Sequence, residues 1–100
     1  MDALEALRAR RSTREYSEKT IAKPVIEEII DCARFAPTAR GEEPWEFIAV
    51  TDKKRLAELA ALTDHGTFIS GCACAIVVAC RDTKYYLEDG CAATENILVA

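Results

Sequence analysis

One hundred residues make about one small domain, and half of them are hydrophobic, enough to form a core. Thirteen lysines and arginines against seventeen acids leave a net charge of -4, which argues against nucleic acid or an anionic membrane as partner, since both are met by a basic face. The longest apolar run, Cys72 to Cys80, is far short of the ~20 residues that span a bilayer, and the acidic opening Met1-Asp2-Ala3-Leu4-Glu5 is unlike a signal peptide, so the expected location is the cytoplasm.

Residues 2–9 read as a helix that Asp2 can cap, with Leu4 and Leu7 on one face and Glu5 one turn before Arg8. The polar stretch from Arg10 to Tyr16 leaves that helix, and 19–23 reads as loop. Pro24 suits a first helical position, and Ile26, Ile29, Ile30 and Ala33 recur at helical spacing until Pro37 stops the run. A loop over 36–44 leads to a strand over 45–51. Asp52 caps a third helix whose Leu56, Leu59 and Ala60 face inward, and 63–71 is irregular. The continuously apolar stretch 74–80 predicts a strand covered on both faces. A last helix begins near Leu87, with Gly90, Ala93 and Ile97 giving a small-residue face that lets another helix approach. It halts on Asn96-Ile97-Leu98-Val99-Ala100 without a glycine, basic residue or proline, so the chain is expected to stop short of a whole enzyme.

Three segments hold residues able to do chemistry. In an extended Arg10-Arg11-Ser12-Thr13-Arg14, residues 10, 12 and 14 project to one side, offering two guanidiniums and a hydroxyl. Arginine forks donate paired hydrogen bonds to phosphate oxygens, although such a cluster is also commonly a solvated charged face. The loop Ala36-Pro37-Thr38-Ala39-Arg40-Gly41-Glu42-Glu43-Pro44-Trp45-Glu46-Phe47 is stiffened by its prolines and a large aromatic, and its glycine permits close backbone approach to a flat ligand. Its plainer reading is a helix-to-strand connection with Trp45 as core anchor. In the third segment, Glu88 to Leu98, the acids suit a helix start and Asn96 could bind a ligand or bond within an interface. The five cysteines, Cys32, Cys72, Cys74, Cys80 and Cys91, sit among Ala, Ile and Val like small core hydrophobes; Cys72-x-Cys74 is not metal-ligand spacing, and His65 has no partner at such spacing.

Taken in order, these segments resemble the nitroreductase family over essentially the whole chain. That family usually shows Arg-Arg-Ser-x-Arg near its start, Ala-Pro-Ser-x-x-Asn-x-Gln-Pro-Trp-x-Phe after the second helix, and Ala-x-Gln-Asn-Leu-Leu in its central helix. The resemblance implies an α+β fold, a mixed sheet flanked by helices in an intertwined homodimer, with residues 1–100 forming one such domain incomplete at its C-terminus. It implies FMN as cofactor at the dimer interface, and hydride transfer from NAD(P)H to a nitro compound, quinone or similar small acceptor by a ping-pong route. Arg10, Arg11, Ser12 and Arg14 match the phosphate and ribityl contacts, while Pro37, Thr38, Ala39, Arg40 and Gly41 lie in the loop that reaches the flavin ring from the other subunit. The family's remaining flavin contacts are expected beyond Ala100. No catalytic side chain is expected, because the cofactor carries the chemistry.

Two positions depart from the pattern: Gly41 stands where Asn is usual and Glu43 where Gln is common, so Arg40 becomes the candidate for the contact that Asn makes to the pyrimidine end of the flavin. His65, Tyr85 and Tyr86 are candidates for the substrate face. The alternatives are a non-catalytic flavin-binding or structural dimer, and a cysteine-based metal or redox protein.

Overall fold

The computed structural model describes residues 1–100. Helix α1 spans Ala3–Ala9, and Asp2 and Glu5 close a reciprocal capping box, each side chain accepting from the other's backbone N–H. Glu5 therefore turns back to the helix start rather than forward to Arg8. Helix α2, Lys23–Arg34, carries Pro24 in its first turn and buries Ile26 and Ala33. A 3₁₀ turn at Ala39–Gly41 precedes strand β1, Trp45–Val50. Helix α3, Lys53–Ala61, is capped by the Asp52 carboxylate, which accepts from the Arg55 N–H, and buries Leu56 and Ala60. Part of the stretch expected to be irregular winds into a second 3₁₀ turn, Thr67–Gly71, before strand β2, Ala75–Cys80, and helix α4, Tyr86–Val99.

The α+β architecture matches the expectation. Within this chain the sheet has two strands, β1 and β2, paired antiparallel from Trp45 opposite Cys80 to Val50 opposite Ala75. Helix α4 packs on β2 and on α2 through the small residues expected to admit a neighbour: Ala93 is fully buried, and Gly90 comes so near Cys80 that an added Cβ would stand 3.2 Å from its Sγ. Asn96 ties the two helices, its Nδ2 donating to the Cys32 carbonyl of α2 at 3.0 Å. That is the interface role rather than the ligand role.

Two expectations about burial are not met inside one chain: β2 is half-buried instead of covered on both faces, and Cys32 and Cys91, read as small core hydrophobes, are exposed. Helix α1 buries nothing and leaves Leu4 and Leu7 exposed. The accessible surface is 7549 Å², about a third above the ~5,600 Å² of a self-contained 11.0 kDa protein. Open apolar surface accounts for this. On α4 the exposed residues Leu87, Cys91, Thr94 and Leu98 recur at helical spacing as a stripe opposite Ala93. A groove of about 1010 Å³ also lies open between residues 13–25 and the start of β2, lined by Tyr16, Ile21, Val25, Ile69 and Ile76.

The core is small, so each member carries much of the stability. Leu56 is fully buried, and Leu56→Ala should cost about 2–5 kcal/mol of unfolding free energy. Leu62 is 83% exposed, and Leu62→Ala should stay within about 0.5 kcal/mol. Urea titration of both variants measures the difference; equal losses would contradict this placement of the core.

Candidate functional site

The turn between α2 and β1 departs furthest from ordinary backbone. Arg40 (φ 58), Gly41 (φ 65) and Glu43 (φ 47) all lie in the left-handed region, and two of these three are not glycine. Left-handed conformations cost a non-glycine residue about 1–2 kcal/mol and persist only where surrounding contacts impose them.

Those contacts come from Asp89 on the first turns of α4. Asp89 is 4% exposed, the most deeply buried charged side chain of the chain. The Ala39 N–H donates to its Oδ1 at 3.0 Å and the Thr38 hydroxyl to its Oδ2 at 3.1 Å. The same hydroxyl accepts from the Glu43 N–H at 3.1 Å, so Thr38 closes the turn upon itself. The Trp45 indole donates to the Asp89 carbonyl at 2.7 Å, holding the turn's exit into β1. Arg81, just after β2, adds a second tie: its N–H donates to the Pro44 carbonyl at 2.9 Å and its guanidinium to the Glu42 carbonyl at 3.0 Å.

The N–H groups of Ala39, Gly41, Glu42 and Glu43 are thereby all engaged within the chain. That of Arg40 has no partner, and its exposed guanidinium makes no ion pair or hydrogen bond. The turn thus leaves uncommitted the N–H groups of Thr38 and Arg40 and one cation, the exposed Arg40 guanidinium, on a scaffold held by Asp89.

The arginine segment lies elsewhere. Arg10 reaches α4, with Nε 3.7 Å from Glu95 Oε1, a partly exposed and weak pair. Arg11 folds back onto the end of α1, donating to the Arg8 and Arg10 carbonyls at 3.0 and 2.9 Å. Arg14 stands over the Phe68 ring at 5.8 Å and makes only a long 3.4 Å bond to the Ser12 carbonyl. Residues 10 and 14, which alternation puts on one side, are held by different parts of the chain. The Ser12 hydroxyl has no partner in the chain. No hydrogen bond or ion pair joins residues 10–16 to residues 36–44, so the two predicted halves of the site do not meet within one chain.

Of the other candidates, His65 is exposed without a partner, Tyr85 lies exposed under Lys84 Nζ at 5.2 Å, and Tyr86 borders the small groove beside Leu87. All five cysteines are free thiols. Burial pushes the Cys74 thiol up, with Cys72 adding to it, and burial followed by the Asp89 charge and Cys91 does the same at Cys80. Neither is an activated thiolate. Sequence reasoning missed Asp89 and Arg81 as holders of the turn. The available signal was Trp45, an indole N–H that needs an acceptor when it anchors a core.

Residues 7–96 match the nitroreductase family. A protein of Archaeoglobus fulgidus named "Putative NADH dehydrogenase/NAD(P)H nitroreductase" is 38% identical, covering 99% of this chain and 60% of that protein. One of the same name from Methanothermobacter thermautotrophicus is 32% identical, covering 100% of this chain and 55% of its own length. Among solved structures, an FMN-dependent nitroreductase from Clostridium difficile superposes with a TM-score of 0.90 at 30% identity, covering 96% of this chain and 58% of that one. The chain shares this fold and spans a little over half the length of these relatives.

An added Cβ at Gly41 would meet nothing within 4 Å, so only backbone conformation opposes Gly41→Ala. The substitution should cost about 1 kcal/mol. Thermal or urea unfolding checks this, and a cost near zero would mean that the left-handed turn is not held in solution.

Proposed function

The chain belongs to the nitroreductase family, and from that premise we propose that it works in the cytoplasm, in a homodimer, as part of an FMN-dependent oxidoreductase that passes hydride from NAD(P)H to a small acceptor such as a nitro compound or quinone. The observation that carries this reading is the Thr38–Glu43 turn, whose strained backbone is spent on presenting the free N–H and free guanidinium of Arg40. A flavin's pyrimidine edge is a row of carbonyl oxygens and ring nitrogens, which a backbone donor beside a cation fits.

The second segment fits the other end of the cofactor. Ser12 has an uncommitted hydroxyl, Arg14 has spare donors, and the Arg10–Glu95 pair at 3.7 Å is loose enough for a dianionic phosphate to compete with it. Arg11, bonded to the end of α1, supports the segment through that helix. Bound between these donors, FMN would supply the hydride chemistry, and no side chain of this chain is needed as acid, base or nucleophile. What the residues contribute is position and charge. Arg40 offsets negative charge at the pyrimidine edge, Ser12 and the neighbouring guanidiniums hold the phosphate, and Pro37 and Ala39 carry the backbone past the ring.

The separation of the two segments within one chain is what a site completed across a dimer requires, and the α4 stripe Leu87, Cys91 and Leu98 is apolar surface suited to a second copy. A donor and an acceptor that use the same open face in turn give ping-pong kinetics.

The full protein purified with flavin should be yellow, and anaerobic NADH or NADPH should bleach it; an added acceptor should restore the colour. A flavin spectrum that neither nicotinamide changes would indicate a binding protein without turnover, and a colourless, metal-loaded protein would point to the cysteines. Arg40→Ala should weaken FMN binding about tenfold and slow reduction, the loss of one charge-assisted contact. Unchanged affinity and reduction rate would remove Arg40 from the site.

A further inference from the structure

We propose that Asp89 is the positioning residue of the flavin site, acting through Thr38 and the Ala39 N–H to hold the turn that presents Arg40; this rests on the reading of that turn as a flavin contact. A carboxylate with 4% exposure and no cation bonded to it is unusual, since an ionised group out of water needs compensating donors. Both its oxygens are satisfied by one short segment, about fifty positions earlier in the chain, and that segment contains the chain's three left-handed residues. The arrangement does more than fasten a loop. The carboxylate takes the Ala39 N–H and the Thr38 proton, which aligns a Thr38 lone pair with the Glu43 N–H. The N–H groups of Ala39, Gly41, Glu42 and Glu43 are used up in holding the turn, and that of Arg40 is left unpaired. Removing the carboxylate frees the Ala39 N–H and the Thr38 hydroxyl to find other partners, and the left-handed conformation at Arg40 loses its support.

Such a residue touches no cofactor, so the test reads the flavin as well as the fold. In the full protein, Asp89→Ala should raise the FMN dissociation constant on the order of tenfold or more. It should also move the midpoint potential of the bound flavin toward that of free FMN as the Arg40 cation drifts from the ring. Asp89→Asn, which keeps an acceptor for the Ala39 N–H, should recover most of both effects. Thr38→Val should reproduce the loss from the other side of the contact, whereas Thr38→Ser, which keeps the hydroxyl, should recover most of it. The Asp89→Ala and Thr38→Val effects should fall short of additive when combined. A folded Asp89→Ala protein with parental affinity and potential would overturn the proposal. Should that variant fail to fold, a Thr38→Val protein with parental affinity and potential would do the same. If the parent protein itself takes up no FMN, the flavin reading fails instead, and the two failures are told apart at the first titration.

Discussion

A buried carboxylate must be surrounded by donors or abandon its charge, and in this chain that requirement joins two segments far apart in sequence. Asp89 sits on the first turns of α4, where a negative charge is favoured by the helix dipole, and its remaining needs are met only if Thr38 and Ala39 come to it. Two hydrogen bonds to a charged group contribute about 1.5–3 kcal/mol each, enough to offset left-handed strain of about 1–2 kcal/mol at each of Arg40 and Glu43. The turn is therefore not a flexible connector between α2 and β1. Its shape is dictated by the helix beneath it, while Arg81 and the Trp45 indole fix its far end.

The same helix organises the rest of the chain. Its small-residue side, Gly90 and Ala93, lies against β2 and α2, its first turns hold the turn at Thr38, and Glu95 receives Arg10. Its remaining side, with Leu87, Cys91 and Leu98, is exposed. One element thus touches both halves of the proposed site and also carries the apolar face on which the proposed dimer would form. A second copy against that face would bring its own turn and arginine segment with it.

Local rules made much of this legible from the sequence. Asp2 and Asp52 cap the helices assigned to them, the 3.6 spacing of Ile26, Ile29, Ile30 and Ala33 marks the buried side of α2, and the small residues of α4 admit its neighbours. These features depend on contacts three or four residues apart, which a sequence displays directly. What was hidden is long-range. Nothing local to Glu88-Asp89-Gly90 distinguishes an acid placed for the helix dipole from one buried beneath a loop about fifty residues away. The covering of β2 was over-read for a related reason: apolar content marks a face as suited to burial, and it does not show what buries it. For the arginines, alternation put residues 10 and 14 on one side, but long side chains find partners by reach, and these went to Glu95 and Phe68.

The two departures from the family pattern make sense on the backbone. Asparagine is, after glycine, the residue that best tolerates left-handed φ, so glycine at position 41 keeps the turn's path at φ 65 while removing a side-chain amide. Glu43 occupies a second left-handed position, and its N–H, which any residue but proline would supply, is what bonds Thr38. The neighbour whose N–H and guanidinium are both uncommitted is Arg40, which is why the proposed reading gives it the polar contact of the missing amide. If Arg40 faces the flavin as proposed, its charge would act on more than affinity, because a cation favours added negative charge on the ring beside it and so the reduced state of the ligand.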